Sequence, residues 1–166
     1  MKRDAIPDRK QRLLVWLTTN KATTLFIRKI ASRLDPLLFR LTNGRWTTFG
    51  PPQMPMLTMT AIGKKSGEPR SVQVASVIHD GHYHVVASAM GQEKHPAWKA
   101  NIESNPKVTV QVTGERFEAI AEKLTDADKA AIWDKIKQAI PQIHVYETRT
   151  DRNICVFRLV RIPSSP

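Results

Sequence analysis

The chain has 166 residues, of which 41% are apolar and 25% charged, and it carries a net charge of +11. This composition excludes a wholly disordered chain, and no apolar run approaches the roughly 20 residues that a membrane-spanning helix needs. The single cysteine, Cys155, excludes an intrachain disulfide and a cysteine-based zinc site. No apolar stretch near the start is long enough for a signal-peptide core, so we expect a cytoplasmic protein.

The positive charge is concentrated in residues 1–50, which hold eleven basic and three acidic side chains. Apolar residues in this segment recur at spacings of three and four, which predicts an amphipathic helix. They are Phe26, Ile30, Leu34, Leu37 and Leu41. We therefore predict a basic helical arm over 1–50 and a separate domain over 51–166. The arm either lies on an anionic surface, such as the inner face of the cell membrane, or packs on the domain or on a second copy of the chain. The state of assembly, monomer or homodimer, stays open.

After a connector rich in glycine and proline, the apolar period changes to two, which is typical of strands. The predicted strands cover 56–62, 70–79, 82–88, 107–113, 116–124 and 153–162. Asp80-Gly81 is a tight hairpin signal, and helices are predicted near 96–105 and 125–140. Because hairpins dominate, we predict a mainly β (α+β) fold, a six-stranded antiparallel barrel with two inserted helices.

The segment from Gly63 to Arg70 reads Gly-Lys-Lys-Ser-Gly-Glu-Pro-Arg. Two glycines allow close backbone approach and three cations flank them, which suits a phosphate or carboxylate ligand. The order of residues is not that of a P-loop. The alternative is an ordinary basic turn that keeps the surface soluble.

The second notable segment runs from Ala87 to Trp98, where a strand ends in small residues and leads into a helix. Small residues let a flat ring lie close to the backbone, whose amides can bind the edge of the ring. The alternative is a plain connecting loop with Trp98 as a core residue. Two histidines, His82 and His84, share a strand face, but no pair of acids accompanies them, so we expect no metal site.

Taken together, these segments resemble the deazaflavin-dependent nitroreductase family, oxidoreductases with a split, FMN-binding-like barrel that use coenzyme F-420. The resemblance extends from about residue 55 to residue 152 and rests on the order of the motifs as well as on their content. The matching motifs are 57–60, 63–70, Ala87-Ser88, 93–98, Asn101, 105–108 and 150–152.

The resemblance implies a cofactor groove on the barrel. In such proteins the cationic segment binds the phosphate and the oligoglutamate tail, which assigns this role to Lys64, Lys65, Ser66, Gly67, Pro69 and Arg70. The segment that lines the deazaflavin ring and the phosphate end corresponds to Ala87, Ser88, Ala89, Met90, Trp98 and Asn101. Relatives often carry a cation where this chain has Ala89-Met90.

The resemblance also implies hydride transfer from reduced coenzyme F-420. Nitroimidazole-activating relatives carry several tyrosines where this chain has 140–146, and here only Tyr146 matches. Since Ile140 and Ile143 make this segment more apolar, we predict a lipophilic acceptor such as a quinone or an activated alkene. Tyr146 is the candidate proton donor or positioning group, with Ser88 second.

Three other functions are considered. The same barrel could hold FMN, because a fold does not fix its cofactor. A non-catalytic barrel that binds a cofactor or lipid is the second alternative. Binding of nucleic acid is not expected, because the basic arm carries no recognition motif.

Overall fold

A computed structural model describes residues 32–42, 45–48 and 55–163. Most of the predicted arm, including Phe26 and Ile30, therefore lies outside the described residues. Within them, no helix has both the length and the apolar character required to cross a bilayer.

The described elements follow one another along the chain in the order helix, three strands, helix, two strands, two helices and a final strand. They are α1 (Ser32–Leu41), β1 (Met56–Ile62), β2 (Pro69–His79), β3 (His82–Val86), α2 (Ala97–Ser104), β4 (Lys107–Val112), β5 (Glu115–Lys123), α3 (Asp126–Ala139), α4 (Gln142–Glu147) and β6 (Val156–Arg161).

The six strands form a closed barrel in the order β1-β2-β3-β6-β5-β4, and each neighbouring pair is antiparallel. The turn between β2 and β3 has positive φ at both Asp80 (48°) and Gly81 (75°). Two successive left-handed residues produce the hairpin turn whose twist matches its flanking strands. The predicted six-stranded antiparallel barrel is confirmed.

Apolar side chains fill the inside of the barrel, because alternate residues of a strand point to the same face. Leu57, Met59 and Val110 are fully buried there. A second apolar cluster lies outside the barrel, where α3 and α4 cover β2, β3 and β6. Its members include Ile132, Ile136, Ile140, Ile143 and Tyr146.

The helices differ from the prediction at one point. The sequence pattern indicates one helix up to residue 140, and the structure adds α4 directly after it. Pro141 separates the two because it has no N–H to continue α3 and disfavours helical geometry in the residue before it. Helix α3 begins as predicted, with the Thr125 hydroxyl accepting a hydrogen bond from the Asp128 N–H at 3.1 Å.

Helix α1 packs on the outside of the barrel through Phe39, which is 1% exposed. The Asp35 carboxylate accepts hydrogen bonds from the N–H and the hydroxyl of Thr48, at 2.6 and 2.5 Å, and so ties the helix to the segment after it. The three apolar residues predicted to share one stripe stay largely exposed. They are Leu34 (46%), Leu37 (55%) and Leu41 (73%).

Candidate functional site

The segment from Gly63 to Arg70, which we call the cationic loop, connects β1 to β2. Its backbone closes on itself, since the Gly63 N–H donates to the Glu68 carbonyl at 2.9 Å and the Gly67 N–H donates to the Gly63 carbonyl at 2.8 Å. A Cβ at residue 63 would come within 2.6 Å of the Ser66 hydroxyl oxygen, and Gly67 has a φ of +69°. Gly67 is therefore favoured by its left-handed backbone, and Gly63 by the close approach of Ser66 and of the Glu68 carbonyl, at 3.2 Å from an added Cβ.

The cationic loop presents its charges to solvent. Lys64, Lys65 and Arg70 are all exposed. No carboxylate of a described residue lies within 4.0 Å of their side-chain nitrogens; the ion pairs in the described part of the chain use other cations. Three adjacent cations without acidic partners provide the charges that a polyanionic ligand needs.

Beyond the end of β3, residues Ala89–Gly91 form a turn that we call the left-handed turn. Its three residues all have positive φ, at 48°, 57° and 73°. Two of them carry side chains, for which this conformation costs roughly 1–2 kcal/mol per residue. Strain of this kind clusters at binding and active sites, where the surrounding structure maintains it.

The left-handed turn follows a residue of the opposite hand, because Ser88 has φ −71° and ψ −30°. Such a pair directs successive backbone N–H groups into one concave surface that binds anions or carbonyl oxygens. Within the described residues, the N–H groups of Ser88, Ala89 and Met90 donate to no backbone acceptor. The turn therefore offers donors to a ligand even though this chain has no cation at Ala89-Met90.

The left-handed turn packs directly on α4 through Gly91. A Cβ at this position would lie 3.0 Å from both the Cα and the carbonyl oxygen of Tyr146, and 2.9 Å from the Cβ of Arg149. Gly91 is thus needed for its φ and for its lack of a side chain. This contact brings the two predicted catalytic segments, around Ser88 and Tyr146, against each other.

The Arg152 guanidinium holds the backbone of the same segment. Its Nε donates to the Gln92 carbonyl at 2.7 Å, its Nη1 donates to the Ala87 carbonyl at 3.0 Å, and its Nη2 donates to the Ser88 carbonyl. Nη1 also lies 3.1 Å from Nδ1 of His95. One half-buried side chain therefore fixes the backbone on both sides of the left-handed turn.

Helix α2 links the two predicted binding segments. The Asn101 side-chain oxygen accepts a hydrogen bond from the Lys64 N–H at 3.0 Å, which holds the cationic loop. His95, on the Arg152 side, lies two residues before the helix. At 1.5 Å per residue, Ala97 and Asn101 are about 6 Å apart along the axis. Trp98 is half-buried and packs edge-on against Phe157, with ring centroids 6.0 Å apart, so this residue also serves the core.

The predicted catalytic side chains differ in their surroundings. Tyr146 is 8% exposed, and burial raises the pKa of its hydroxyl above the ordinary value of 10.0. The hydroxyl therefore stays protonated through the neutral and mildly alkaline range and can donate a hydrogen bond. Ser88 is half-buried and does not use its side chain to cap the turn that follows it.

One expectation about residues near Tyr146 changes. Ile140 and Ile143, expected to make the substrate pocket apolar, are 4% and 1% exposed and belong to the cluster under α3 and α4. Because the chain breaks at Pro141, both side chains lie on the side of α3 and α4 that faces the barrel, and they are core residues.

Among the described residues, no three potential metal-ligating side chains gather at one point.

Sequence reasoning did not assign roles to Arg152, His95 or Gly91. The first two lie in motifs that were noted, but nothing in the local pattern shows that a guanidinium reaches carbonyls about 60 residues earlier in the chain. Gly91 follows Ala89 and Met90, and nothing in this local sequence indicates a special role. The role becomes visible only in the structure, where Gly91 lies against the backbone of α4.

Comparison with known proteins places the chain among F-420-dependent enzymes. The model of the family described as F-420H(2)-dependent quinone reductase matches residues 32–161. An F-420H(2)-dependent quinone reductase of Mycobacterium tuberculosis is 31% identical over 132 residues, which are 78% of this chain and 89% of that protein.

Two solved structures are also similar. One, described as a domain-swapped dimer, has a TM-score of 0.61 and 32% identity, and the match covers 76% of this chain and 96% of that one. An F-420-H2-dependent reductase has a TM-score of 0.59 and 36% identity over 63% of this chain and 93% of that one. The barrel, the motifs on it and these matches together show that the chain belongs to the F-420H(2)-dependent quinone reductase family.

Proposed function

We propose that this protein reduces a quinone with coenzyme F-420 held between the cationic loop and the left-handed turn. The observation that carries the proposal is the position of α2, which is tied to the cationic loop at Asn101 and leads directly from His95, beside the left-handed turn. A ligand with an anionic tail and a flat polar head requires two such regions on one rigid element.

The predicted class of enzyme and its cofactor agree with the family. Membership confirms the prediction of an F-420-dependent oxidoreductase with a split barrel and favours the deazaflavin over FMN and over a non-catalytic barrel. A quinone is one of the two acceptor classes that the sequence predicted. The residues that bind the cofactor and the acceptor are our assignment.

The side chains and backbone groups present suit this cofactor. Lys64, Lys65 and Arg70 would pair with the phosphate and the carboxylates of the tail, with Ser66, Gly67 and Pro69 shaping the loop. Each charge-assisted hydrogen bond contributes about 1.5–3 kcal/mol. The open N–H groups of the left-handed turn would bind oxygens of the ring or of the phosphate end. Ala87, predicted to line the ring, is instead fully buried in the barrel core, and its carbonyl is bound by Arg152.

When bound, the reduced deazaflavin supplies a hydride. Reduction of a quinone also places negative charge on one of its oxygens, and a nearby hydrogen-bond donor stabilises that charge. Tyr146 would serve this purpose at the edge of the second apolar cluster, where 8% of its surface is exposed and burial keeps its hydroxyl protonated. Ser88 is the second donor, on the opposite side of the contact made by Gly91.

Titration of the purified protein with F-420, FMN and NADPH in one buffer tests the proposal. We expect the protein to quench or shift the fluorescence of F-420 at micromolar concentration and to leave the other two unbound. Oxidation of reduced F-420 on addition of menadione would then show quinone reduction. Tight binding of FMN with no response to F-420 would contradict the proposal.

We also propose that the N-terminal segment attaches the protein to an anionic membrane surface. Three leucines of α1 are exposed and Trp46 is 54% exposed, which matches the apolar and aromatic content of interfacial helices. The excess of basic residues over 1–50 favours an anionic bilayer, at about 1 kcal/mol per Lys or Arg near the surface. A lipophilic quinone in the same bilayer would then be close to the enzyme.

Sedimentation with vesicles containing phosphatidylglycerol tests the attachment. We expect the full chain to co-sediment at low salt, and a variant with Leu34, Leu37 and Leu41 changed to serine to remain in the supernatant. Ile78 is 53% exposed on β2 and its change to serine is the control. Co-sedimentation of the triple variant with the vesicles would argue against membrane attachment. So would a dimer in size-exclusion chromatography that the triple variant no longer forms, because the leucines would then serve the dimer interface.

A further inference from the structure

The Arg152 guanidinium contacts the ring of His95, an exposed histidine beside the proposed cofactor groove. Arg152 donates through Nη1 to the Ala87 carbonyl at 3.0 Å, and the same nitrogen lies 3.1 Å from Nδ1 of His95. A guanidinium has only donors. With the guanidinium as donor, Nδ1 of His95 can accept only when the ring is neutral and carries its proton on Nε2.

The donors of Arg152 are almost fully used. Nε contacts the Gln92 carbonyl, Nη1 contacts both the Ala87 carbonyl and Nδ1 of His95, and Nη2 contacts the Ser88 carbonyl. A guanidinium has five N–H groups in a fixed plane, so four contacts leave it little freedom to rotate. The orientation of the His95 ring is thus set by the same group that holds the backbone next to the left-handed turn.

We propose that Arg152 is a positioning residue that fixes His95 as a neutral imidazole, and that the Nε2–H of His95 donates a hydrogen bond to an oxygen of the bound cofactor. The second half of this inference rests on the proposed function, whereas the first half does not. His95 is exposed and lies directly before α2, so a ligand can reach its Nε2.

Burial and most of the charges around His95 also favour the neutral ring. Partial desolvation lowers the pKa of His95 below its ordinary value, and Arg152, Lys99 and Lys123 lower it further, while Glu103 raises it. Lys99 and Glu103 form an ion pair at 2.7 Å, so their opposite effects on the pKa of His95 largely offset each other and desolvation and Arg152 remain the main causes. The imidazole therefore stays neutral to a lower pH than free histidine does.

The protonated nitrogen can be measured without any cofactor. In the ¹⁵N NMR spectrum of the full-length protein, His95 is assigned by comparison with the His95→Gln variant. We expect a pyridine-like Nδ1 and a pyrrole-like Nε2 at pH 7. Arg152→Lys should give a mixture of tautomers and a higher pKa of His95. A proton on Nδ1, or a charged ring at pH 7, in the wild-type protein would overturn the first half.

Two variants separate the donor from the rest of the ring. Glutamine places an amide N–H₂ near the position of Nε2, whereas asparagine places its oxygen near Nδ1 and lacks the distal donor. We expect His95→Gln to bind F-420 within about threefold of the wild type and His95→Asn to bind about five- to tenfold more weakly. His144→Gln, on the exposed side of α4, is the control.

The outcomes distinguish this inference from the proposed function. Equal F-420 affinity of the glutamine and asparagine variants would overturn the role of Nε2–H, even in a protein that binds the cofactor well. Failure of the wild-type protein to bind F-420 would overturn the proposed function and the second half together. The NMR result would still decide whether Arg152 positions His95.

Discussion

The side-chain oxygen of Asn101 accepts a hydrogen bond from the backbone N–H of Lys64 at 3.0 Å. This bond crosses from α2 to the cationic loop, between residues 37 positions apart in the chain. It fixes the first cation of the loop relative to the helix that leads away from the left-handed turn. The spacing of the two proposed parts of the cofactor site therefore depends on one amide side chain.

Replacing Asn101 by alanine is expected to weaken F-420 binding by about two- to tenfold, because the loop must then be ordered by the ligand. One lost hydrogen bond of this kind corresponds to about 0.5–1.5 kcal/mol. Fluorescence titration measures the change. Asn105→Ala is the control, since the Asn105 side chain also accepts from a backbone N–H, that of Lys107 at 3.2 Å. Equal effects of both variants would contradict a specific role of Asn101.

Replacing Lys65 and Arg70 together by alanine is expected to weaken F-420 binding by about 100-fold or more, since two charge-assisted hydrogen bonds are lost. Raising the salt concentration should weaken binding by the wild type more than by the variant. The control is the double change of Lys107 and Arg158, which removes the same charge from the ion pairs with Glu118 and Glu122. If both doubles bind alike, net charge alone explains the affinity.

Gly91→Ala is expected to lower the free energy of unfolding by about 2–4 kcal/mol, which combines the cost of a positive φ with a collision against α4. Gly114→Ala is the matched control. Gly114 has a φ of +78° but nothing within 4 Å of an added Cβ, so its loss should stay near 1 kcal/mol. Urea unfolding of both variants measures the difference, and equal losses would show that the contact with Tyr146 is unimportant.

Tyr146→Phe is expected to lower kcat for a quinone by about 100-fold with little change in the Kd for F-420, because only the developing charge on the acceptor loses its donor. Burial raises the pKa of Tyr146, so ionisation of this hydroxyl should not reduce the wild-type rate up to about pH 10. Stopped-flow oxidation of reduced F-420 measures both effects.

Tyr83→Phe serves as the control for that experiment, because Tyr83 stacks on Phe117 with ring centroids 5.9 Å apart in the barrel. Ser88→Ala tests the second donor in the same assay and should cost less than Tyr146→Phe. A wild-type rate for Tyr146→Phe would remove this tyrosine from the mechanism.

The barrel could be predicted because its signals are local. Alternating valines mark β4 at Val108, Val110 and Val112, and the Asp80-Gly81 pair marks the β2–β3 turn. Strand ends shifted by one to three residues, as with β3, which stops at Val86 instead of at residue 88, and β6, which begins at Val156 instead of at residue 153. Beyond this point the Arg152 side chain occupies the Ala87 and Ser88 carbonyls, and no pattern in residues 82–88 indicates that partner.

The second apolar cluster shows where local patterns mislead. Ile140 and Ile143 read as pocket residues because they stand in a segment linked to substrate binding. A side chain's sequence position does not say which side of a broken helix it occupies, and the Pro141 break places both in the core. The sequence also left open whether the apolar stripe of α1 packs on the barrel. In the structure Leu34, Leu37 and Leu41 are exposed, and Phe39 packs inward instead.

The amino-acid order alone determined a barrel of alternating strands, a cluster of cations in a tight loop and a small-residue segment before a helix, because neighbouring residues set strand periodicity, turn chemistry and charge. Only the tertiary structure decided that Arg152 binds the Ala87 carbonyl, 65 positions away, and that Gly91 touches the backbone of Tyr146. Such contacts depend on how distant segments pack, and directional hydrogen bonds and steric clearance over a few ångströms leave no periodic trace in the chain.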